Sequence, residues 1–477
     1  MFINRQAELT FLNNVLTRRR PGPAQLLLLY GRRRVGKTAL LRYWAAHSDL
    51  PYTYWVAEKE PAALQRRKLY AKFLGVSESR APIFESWAAL WEATAELLGD
   101  QRRILILDEF TYTAEADPAA LSALQHAWDQ HFERAQLVIV LCGSHVQTMQ
   151  TLLTQQSPLF GRMTGQWHLQ PLSFANLRDF FPTWSAEERV ALYAIVGGVP
   201  AYLNWLDSEQ SLVDNIRKIM LAPGSMFLAE TKFLLYDEVR EPQTYIAILE
   251  AIGAGHHTLK AISNASLVST TNLPAYLQTL RGLRLVERRL PATVPLAKRR
   301  TSRRGRYHLT DPFFRFYFRF LHPQQEDLDF GRDRVLDYIR AGLRAFVGRT
   351  AFEELSQQWV RQQGKAGQLP LEPEFVGRHW GRHVQIDVVG INWQRKELLL
   401  GECKWTKDPI NRGIVRELIE DKTPKVLRDL SVGPEEWALH HAFFSRHGFT
   451  EAAQDKAVQA GALLVDLEML DSDLAHA

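Results

Sequence analysis

Residues 26–38, LLLLYGRRRVGKT, constrain this chain more than any other stretch. Four leucines in a row that stop at a glycine predict a strand of a parallel sheet, since only there are both side-chain directions covered. The spacing Gly31-x-x-x-x-Gly36-Lys37-Thr38 follows at once. Gly31 and Gly36 let the backbone turn its N–H groups inward, toward phosphate oxygens at the start of the next helix. Lys37 is then placed to reach β- and γ-phosphates, and the Thr38 hydroxyl to ligate Mg²⁺. The next residues, ALLRYWAAH, carry a helical pattern, so a chance glycine-rich loop is the weaker reading. Arg32, Arg33 and Arg34 read as solvated side chains.

A length of 477 residues exceeds what one hydrophobic core holds and predicts two to four domains. The N-terminal FINRQAEL and the residues after it contain no apolar leader, and no apolar run reaches spanning length, so a cytoplasmic protein with no membrane partner is expected. Cys142 and Cys403 each fall inside an apparent strand and make no disulfide framework, which suits a reducing compartment. Between Arg281 and Arg319 twelve Arg or Lys face only Glu287 and Asp311, so a chain of net charge +5 is near −5 elsewhere. Such a local excess is what a polyanion would meet.

Helix-like residues 9–16 and a Pro21-Gly22-Pro23 break precede the phosphate-loop strand. Residues 51–58 predict a second strand, and residues 61–100 predict helices with Trp87, Leu90 and Trp91 on apolar faces. Residues 103–110, RILILDEF, place two carboxylates where an apolar strand leaves the carboxyl edge of the sheet, a Walker B pattern. Asp108 is expected to hold Mg²⁺ through water, and Glu109 to orient or deprotonate the attacking water. A helix cap is the bland alternative. After the strand at 136–142, Ser144 either sits near the γ-phosphate or merely caps the following helix. Arg162, within residues 157–172, either completes a neighbour's nucleotide site in trans or is a surface residue.

Taken in order, FINRQAEL, GRRRVGKT, ILILDEF, LCGSH, SPLFGRMTG and GGVPAYL (residues 197–203) resemble the motif series of prokaryotic and archaeal AAA-type ATPases. These are relatives of the STAND signalling ATPases, often fused to a region called DUF234. The resemblance implies a nucleotide-binding core, Ser144 at the sensor-1 position, and a helical lid bearing the Gly-Gly-x-Pro turn. It also implies Arg162 as a trans-acting finger in a homo-oligomer.

From residue 242 three short helices and a strand pair follow the order of a winged helix-turn-helix. Residues 271–283 would be the recognition helix, with Asn272, Gln278 and Arg281 as base-reading side chains, and residues 284–309 the wing. Residues 298–306, KRRTSRRGR, hold six cations and no acid, as phosphate contacts on DNA require; a packing module with a basic loop is the competing reading. Residues 310–321, TDPFFRFYFRFL, are too aromatic to be exposed and predict core.

The last region carries a second chemical signal. VQIDVVG (384–390) alternates, and ELLLGECKW follows after a short turn. Period two puts Glu402 and Lys404 on one face and Cys403 on the other. Paired as a hairpin, the strands would bring Asp387, Glu402 and Lys404 together. This region resembles the D…E-x-K arrangement of PD-(D/E)XK nucleases, which implies Asp387 and Glu402 on Mg²⁺ or Mn²⁺ and Lys404 on water or phosphate. The resemblance also implies a further carboxylate, expected at Glu353 in the upstream TAFEELSQQWV; its neighbour Glu354 is the disfavoured choice, because Phe352, Leu355 and Trp359 set the buried face. His440, His441 and His447 lack metal spacing.

These readings predict an α/β chain in four parts: a P-loop ATPase core (1–170) with a parallel sheet, a helical lid (171–240), a winged helix-turn-helix (241–322) and an α/β restriction-endonuclease-like domain (323–477). The expected function is ATP hydrolysis coupled to a Mg²⁺-dependent DNA endonuclease in genome maintenance or defence against mobile DNA. The alternatives are a STAND-like assembly switch, or an ATP-sensing DNA-binding regulator without cleavage.

Overall fold

The computed structural model describes residues 2–18, 20, 22–239, 241–430 and 436–475; Pro21 lies outside them. The chain divides into two compact units, Met1–Leu172 with Val199–Ala201, and Ser173–Gly198 with Tyr202–Ala477.

In the first unit five strands form a sheet: β1 (Gln25–Tyr30), β2 (Tyr52–Val56), β3 (Arg103–Asp108), β4 (Leu137–Gly143) and β5 (Gly165–His168). The order is β2-β3-β4-β1-β5, parallel throughout. All six residues of β1 are buried, for the reason its leucines suggest. Leu26 and Leu28 pack in one cluster with Leu105, Leu107, Ile139 and Leu141, while Leu27 and Leu29 face the other with Trp44, Ile104, Ile106 and Val138. Each buried leucine contributes on the order of 2 kcal/mol. The packing sets the register, Tyr30 opposite Gly143 and Val56 opposite Asp108, so the ends of β1, β3 and β4 emerge side by side. The helices expected over 61–100 are Ala62–Leu74 and Trp87–Glu96, and Trp87, Leu90 and Trp91 are buried.

In the second unit, helices Pro242–Gly253, Leu259–Ser266 and Leu273–Gly282 precede an antiparallel ribbon of β6 (Val286–Arg289) and β7 (Arg306–Leu309). Leu273, Leu277 and Leu280 bury one face of the third helix, leaving Asn272, Gln278 and Arg281 exposed. The aromatic run is core: Phe313, Phe314, Phe316, Tyr317, Phe318 and Phe320 are all buried. After helix Glu353–Lys365 comes a second sheet: β8 (Phe375–Trp380), β9 (Gln385–Asn392), β10 (Glu397–Lys404), β11 (Ala438–Ser445) and β12 (Leu463–Asp466). Its order is β12-β11-β10-β9-β8. Strands β8 to β10 are an antiparallel meander, and β11 returns parallel to β10 across an intervening helical segment, as a parallel pair requires.

The wing is less free than a basic run suggests. Arg299 lies 4.0 Å from the Phe375 ring centre and Arg306 4.9 Å from that of Trp380. Arg304 donates to the Trp380 carbonyl, whose indole N–H returns a bond of 3.1 Å to the Arg304 carbonyl. Half of the expected phosphate-contacting cations therefore anchor the wing to β8. Lys298, Arg300 and Arg303 stay exposed.

Candidate functional site

At the end of β1 the phosphate loop closes tightly. A Cβ on Gly31 would lie 2.5 Å from the Leu169 carbonyl oxygen, and Gly36 has φ +94°, so both positions need glycine. Lys37 is buried and donates to the carbonyls of Gly31 (2.9 Å) and Arg32 (3.1 Å), curled over the loop that would receive phosphate. Pro200, from the Gly-Gly-Val-Pro turn, stands against the loop, 3.8 Å from where a Gly36 Cβ would be.

The Thr38 hydroxyl donates to Asp108 Oδ2 over 2.9 Å, bringing the two expected Mg²⁺ ligands together. One hydroxyl and one carboxylate beside a phosphate loop fit Mg²⁺, which keeps most of its shell as water and phosphate oxygen. Asp108 Oδ1 accepts from the Glu109 amide (3.0 Å). Tyr54 on β2, which the sequence reading passed over, donates its hydroxyl to Asp108 Oδ2, and burial followed by the Asp108 charge holds that phenol protonated. The signal was its place on a strand adjoining β3, two residues from the end that meets Asp108.

Glu109 has φ +50°, a left-handed conformation that a non-glycine residue keeps only where its surroundings enforce it. Ser144 does so: its amide (3.1 Å) and hydroxyl (2.8 Å) both donate to Glu109 Oε2. Ser144→Ala removes one charge-assisted bond and leaves the amide. Steady-state ATP turnover is expected to fall about tenfold, equivalent to roughly 1.4 kcal/mol, with KM little changed. An unchanged kcat would show that the amide alone orients Glu109.

Arg162 lies elsewhere. It lies in the segment that leads into β5 at the end of β1 opposite the phosphate loop, where Thr164 bonds Leu26. Its guanidinium forks onto Asp129 with two bonds of 2.7 Å and also donates to the carbonyls of Pro158 and Phe160. Within its own chain Arg162 does not join the nucleotide site and tethers this loop to Asp129; a role in trans concerns a second copy.

In the second unit the hairpin brings the four expected residues together. The β9–β10 register pairs Val388 with Gly401, which sets Asp387 beside Glu402, and the Cys403 amide donates to Asp387 Oδ2 (3.1 Å). Lys404 donates to Glu402 Oε1 (2.7 Å). Lys422, which the sequence reading did not single out, takes Glu402 Oε2 (2.8 Å) from the helical segment beyond β10. Glu353 enters from its helix, with Oε2 2.8 Å from Arg378 Nη2 but out of line for a hydrogen bond. Burial, then repulsion by Glu402, raises Asp387 to about 6; burial raises Glu353 to about 8 against the pull of Arg378. Carboxylates this short of solvent suit a hard cation in donor type, with Asp387 and Glu402 as the expected holders. Both Glu402 oxygens are nonetheless already bridged by lysines, and no group of three or more His, Cys, Asp or Glu among the described residues is arranged to hold a metal. Glu354 is instead gripped by Arg289 (2.7 Å) and Arg315 (2.8 Å). Buried His441 bonds the Thr423 hydroxyl (3.0 Å), a packing role, and Cys142 and Cys403 are free thiols.

A parallel sheet that presents a glycine loop, Lys37, Thr38 and Asp108 at one edge defines a P-loop ATPase. Residues 2–206 match the family described as an ATPase domain predominantly from Archaea, and residues 317–418 match DUF234, described as archaeal and bacterial proteins of unknown function. An uncharacterized protein of Methanocaldococcus jannaschii is 30% identical over 460 residues, 94% of this chain and 96% of that one. The chain belongs to this family of AAA-type ATPases with a C-terminal DUF234 region. Among solved structures, a Walker-type ATPase of Pyrococcus abyssi is 21% identical, covering 67% of this chain and 96% of that one (TM-score 0.45). The ORC2 protein of Aeropyrum pernix in its ADPNP–ADP complexes is 15% identical, covering 71% and 95% (TM-score 0.45). No helix among the described residues is long and apolar enough to cross a membrane.

Proposed function

We propose that this chain hydrolyses ATP in its first unit and uses the nucleotide state to govern a DNA endonuclease centre in its C-terminal domain. The observation that carries the reading is the gathering of Glu353, Asp387, Glu402 and Lys404 at one place on a sheet of three antiparallel strands and a parallel return. Residues 1–170 are the ATPase core, 171–240 its lid, 241–322 the winged helix and 323–477 the nuclease-like domain.

At the nucleotide site the loop amides and Lys37 neutralise the phosphates, Thr38 and Asp108 hold Mg²⁺, and Glu109, aimed by Ser144, takes the proton of the attacking water. Mg²⁺ there supplies charge neutralisation between the outer phosphates. In the C-terminal domain Asp387 and Glu402 would hold Mg²⁺ or Mn²⁺, whose chemistry is to polarise a phosphodiester and its attacking water. Lys404 and Lys422, once Glu402 is otherwise engaged, are the cations left to face the phosphate. Lys298, Arg300 and Arg303 on the wing and the exposed face of helix Leu273–Gly282 are the DNA contacts. A homo-oligomer is part of the reading only if Arg162 releases Asp129 to reach a neighbour.

Duplex, single-stranded and branched DNA, incubated with Mg²⁺ or Mn²⁺ with and without ATP, should be cut by the native chain and not by Asp387→Ala, with a loss of at least about 100-fold. DNA bound but never cut would favour the second reading, an ATP-sensing regulator. The double lysine bridge on Glu402, which leaves no oxygen uncommitted, is what speaks for that alternative.

A further inference from the structure

A cavity of about 530 Å³ lies within the second unit, walled by the winged helix on one side and by helix Glu353–Lys365, β8 and β9 on the other. Six arginines line it, and the only carboxylates are Glu353 and Glu354. Those two are spent: Glu354 answers Arg289 and Arg315, and Glu353 answers Arg378. Arg306, Arg319 and Arg349 have no carboxylate partner among the described residues. The guanidinium carbons of Arg306 and Arg319 lie over the rings of Trp380 (4.9 Å) and Phe320 (5.7 Å), cation–π contacts that place the groups without neutralising their charge.

The surrounding groups report the same field. Burial lowers the Arg306 pKa with no acid to offset it. His257 and His308, stacked at 4.1 Å on the cavity wall, are both held neutral by burial, and the neighbouring arginines push in the same direction. Unanswered guanidiniums around a concave space are arranged for an anion that arrives from outside, and the fork of arginine matches phosphate oxygens in pairs. The volume is in the range of sites for nucleotide-sized ligands, which exceeds what a lone inorganic anion needs.

We infer that this cavity binds a phosphate-bearing ligand of nucleotide size, with Arg306, Arg319 and Arg349 as the receiving groups. The ligand is a free nucleotide or one nucleotide of a strand on its way to Asp387 and Glu402. In the second case the inference rests on the nuclease reading. Gln385, two residues before Asp387, lines the same cavity, as does Glu353, so a phosphate here adjoins the candidate centre.

The test is calorimetry on full-length protein carrying Lys37→Ala, which silences the phosphate loop, in EDTA so that nothing is cut. Thymidine monophosphate, 5′-phosphorylated trithymidylate and thymidine are the probes. Binding of either phosphorylated probe but not of thymidine is expected. Arg306→Gln with Arg349→Gln should weaken it at least tenfold, and Arg395→Gln with Lys407→Gln, exposed cations away from the cavity, should leave it within about twofold. Equal affinity for the two phosphorylated probes identifies a free nucleotide, and a trinucleotide preference identifies a strand. If the double variant fails to fold, Arg319→Glu, at an exposed position, must show the same loss. Binding that these changes leave intact, or that Arg395→Gln with Lys407→Gln loses equally, overturns the inference, as does no binding at all. Absence of DNA cleavage with binding retained would sink the nuclease and leave the cavity standing.

Discussion

Replacing Lys37 with alanine is expected to abolish ATP turnover, lowering it at least about 100-fold, while the thermal transition of the protein stays within a few degrees. The ammonium is buried and its acceptors are two loop carbonyls. Neutral carbonyls compensate a buried cation only partly, so the loop holds an unsatisfied preference for anionic oxygen. ATP answers it with β- and γ-phosphates, and alanine removes both the attraction and the transition-state charge stabilisation. Glu109→Gln separates the steps: nucleotide should still bind, measured with a fluorescent ATP analogue, while phosphate release falls by a similar factor. Normal turnover in Lys37→Ala would remove the phosphate-loop assignment. Lost binding in Glu109→Gln would mean that Glu109 holds the loop together instead of acting on water.

Local rules made much of both sites legible. Leu26–Leu29 had to be a doubly buried strand, and a strand that ends at glycine delivers the loop to the sheet edge. Period two brought Glu402 and Lys404 to one face, and the helix pattern separated Glu353 from Glu354. What stayed hidden depended on pairs distant in sequence. β5 is four residues long at the sheet edge, fixed by its pairing with β1 more than by any pattern of its own. Lys422 sits in a helix with charges of both signs, where nothing distinguishes one lysine until the fold sets it 2.8 Å from Glu402. The wing arginines read as phosphate contacts or a basic loop because a charge run shows no aromatic partner, and Phe375 and Trp380 come some seventy residues later. The tether of Arg162 was hidden for the same reason: Asp129, its partner, lies 33 residues away.

Glu354 is where that blindness has its largest energetic consequence. Passed over as the neighbour of Glu353, it carries two guanidiniums, one from β6 and one from the aromatic helix after β7, and so ties those elements to helix Glu353–Lys365. Burial opposes its charge, but Arg315 and Arg289 win and hold its carboxyl well below the ordinary range. Truncation leaves both guanidiniums beside a cavity already short of acid. Glu354→Ala should therefore destabilise the second unit by on the order of 3 kcal/mol. That is the lower end for a buried network, because 29% of the side chain faces open space. Chemical denaturation checks this, and Glu354→Gln should recover little, since shape without charge answers neither arginine. A depressed carboxyl stabilises at pH above its unfolded value near 4.5, and that contribution is lost as pH falls toward the folded one. The native protein should lose stability on acidification below pH about 5 more steeply than the alanine variant. Parallel acid profiles for the two proteins would mean that the arginines find other partners, and that Glu354 does not hold β6 and the aromatic helix in place.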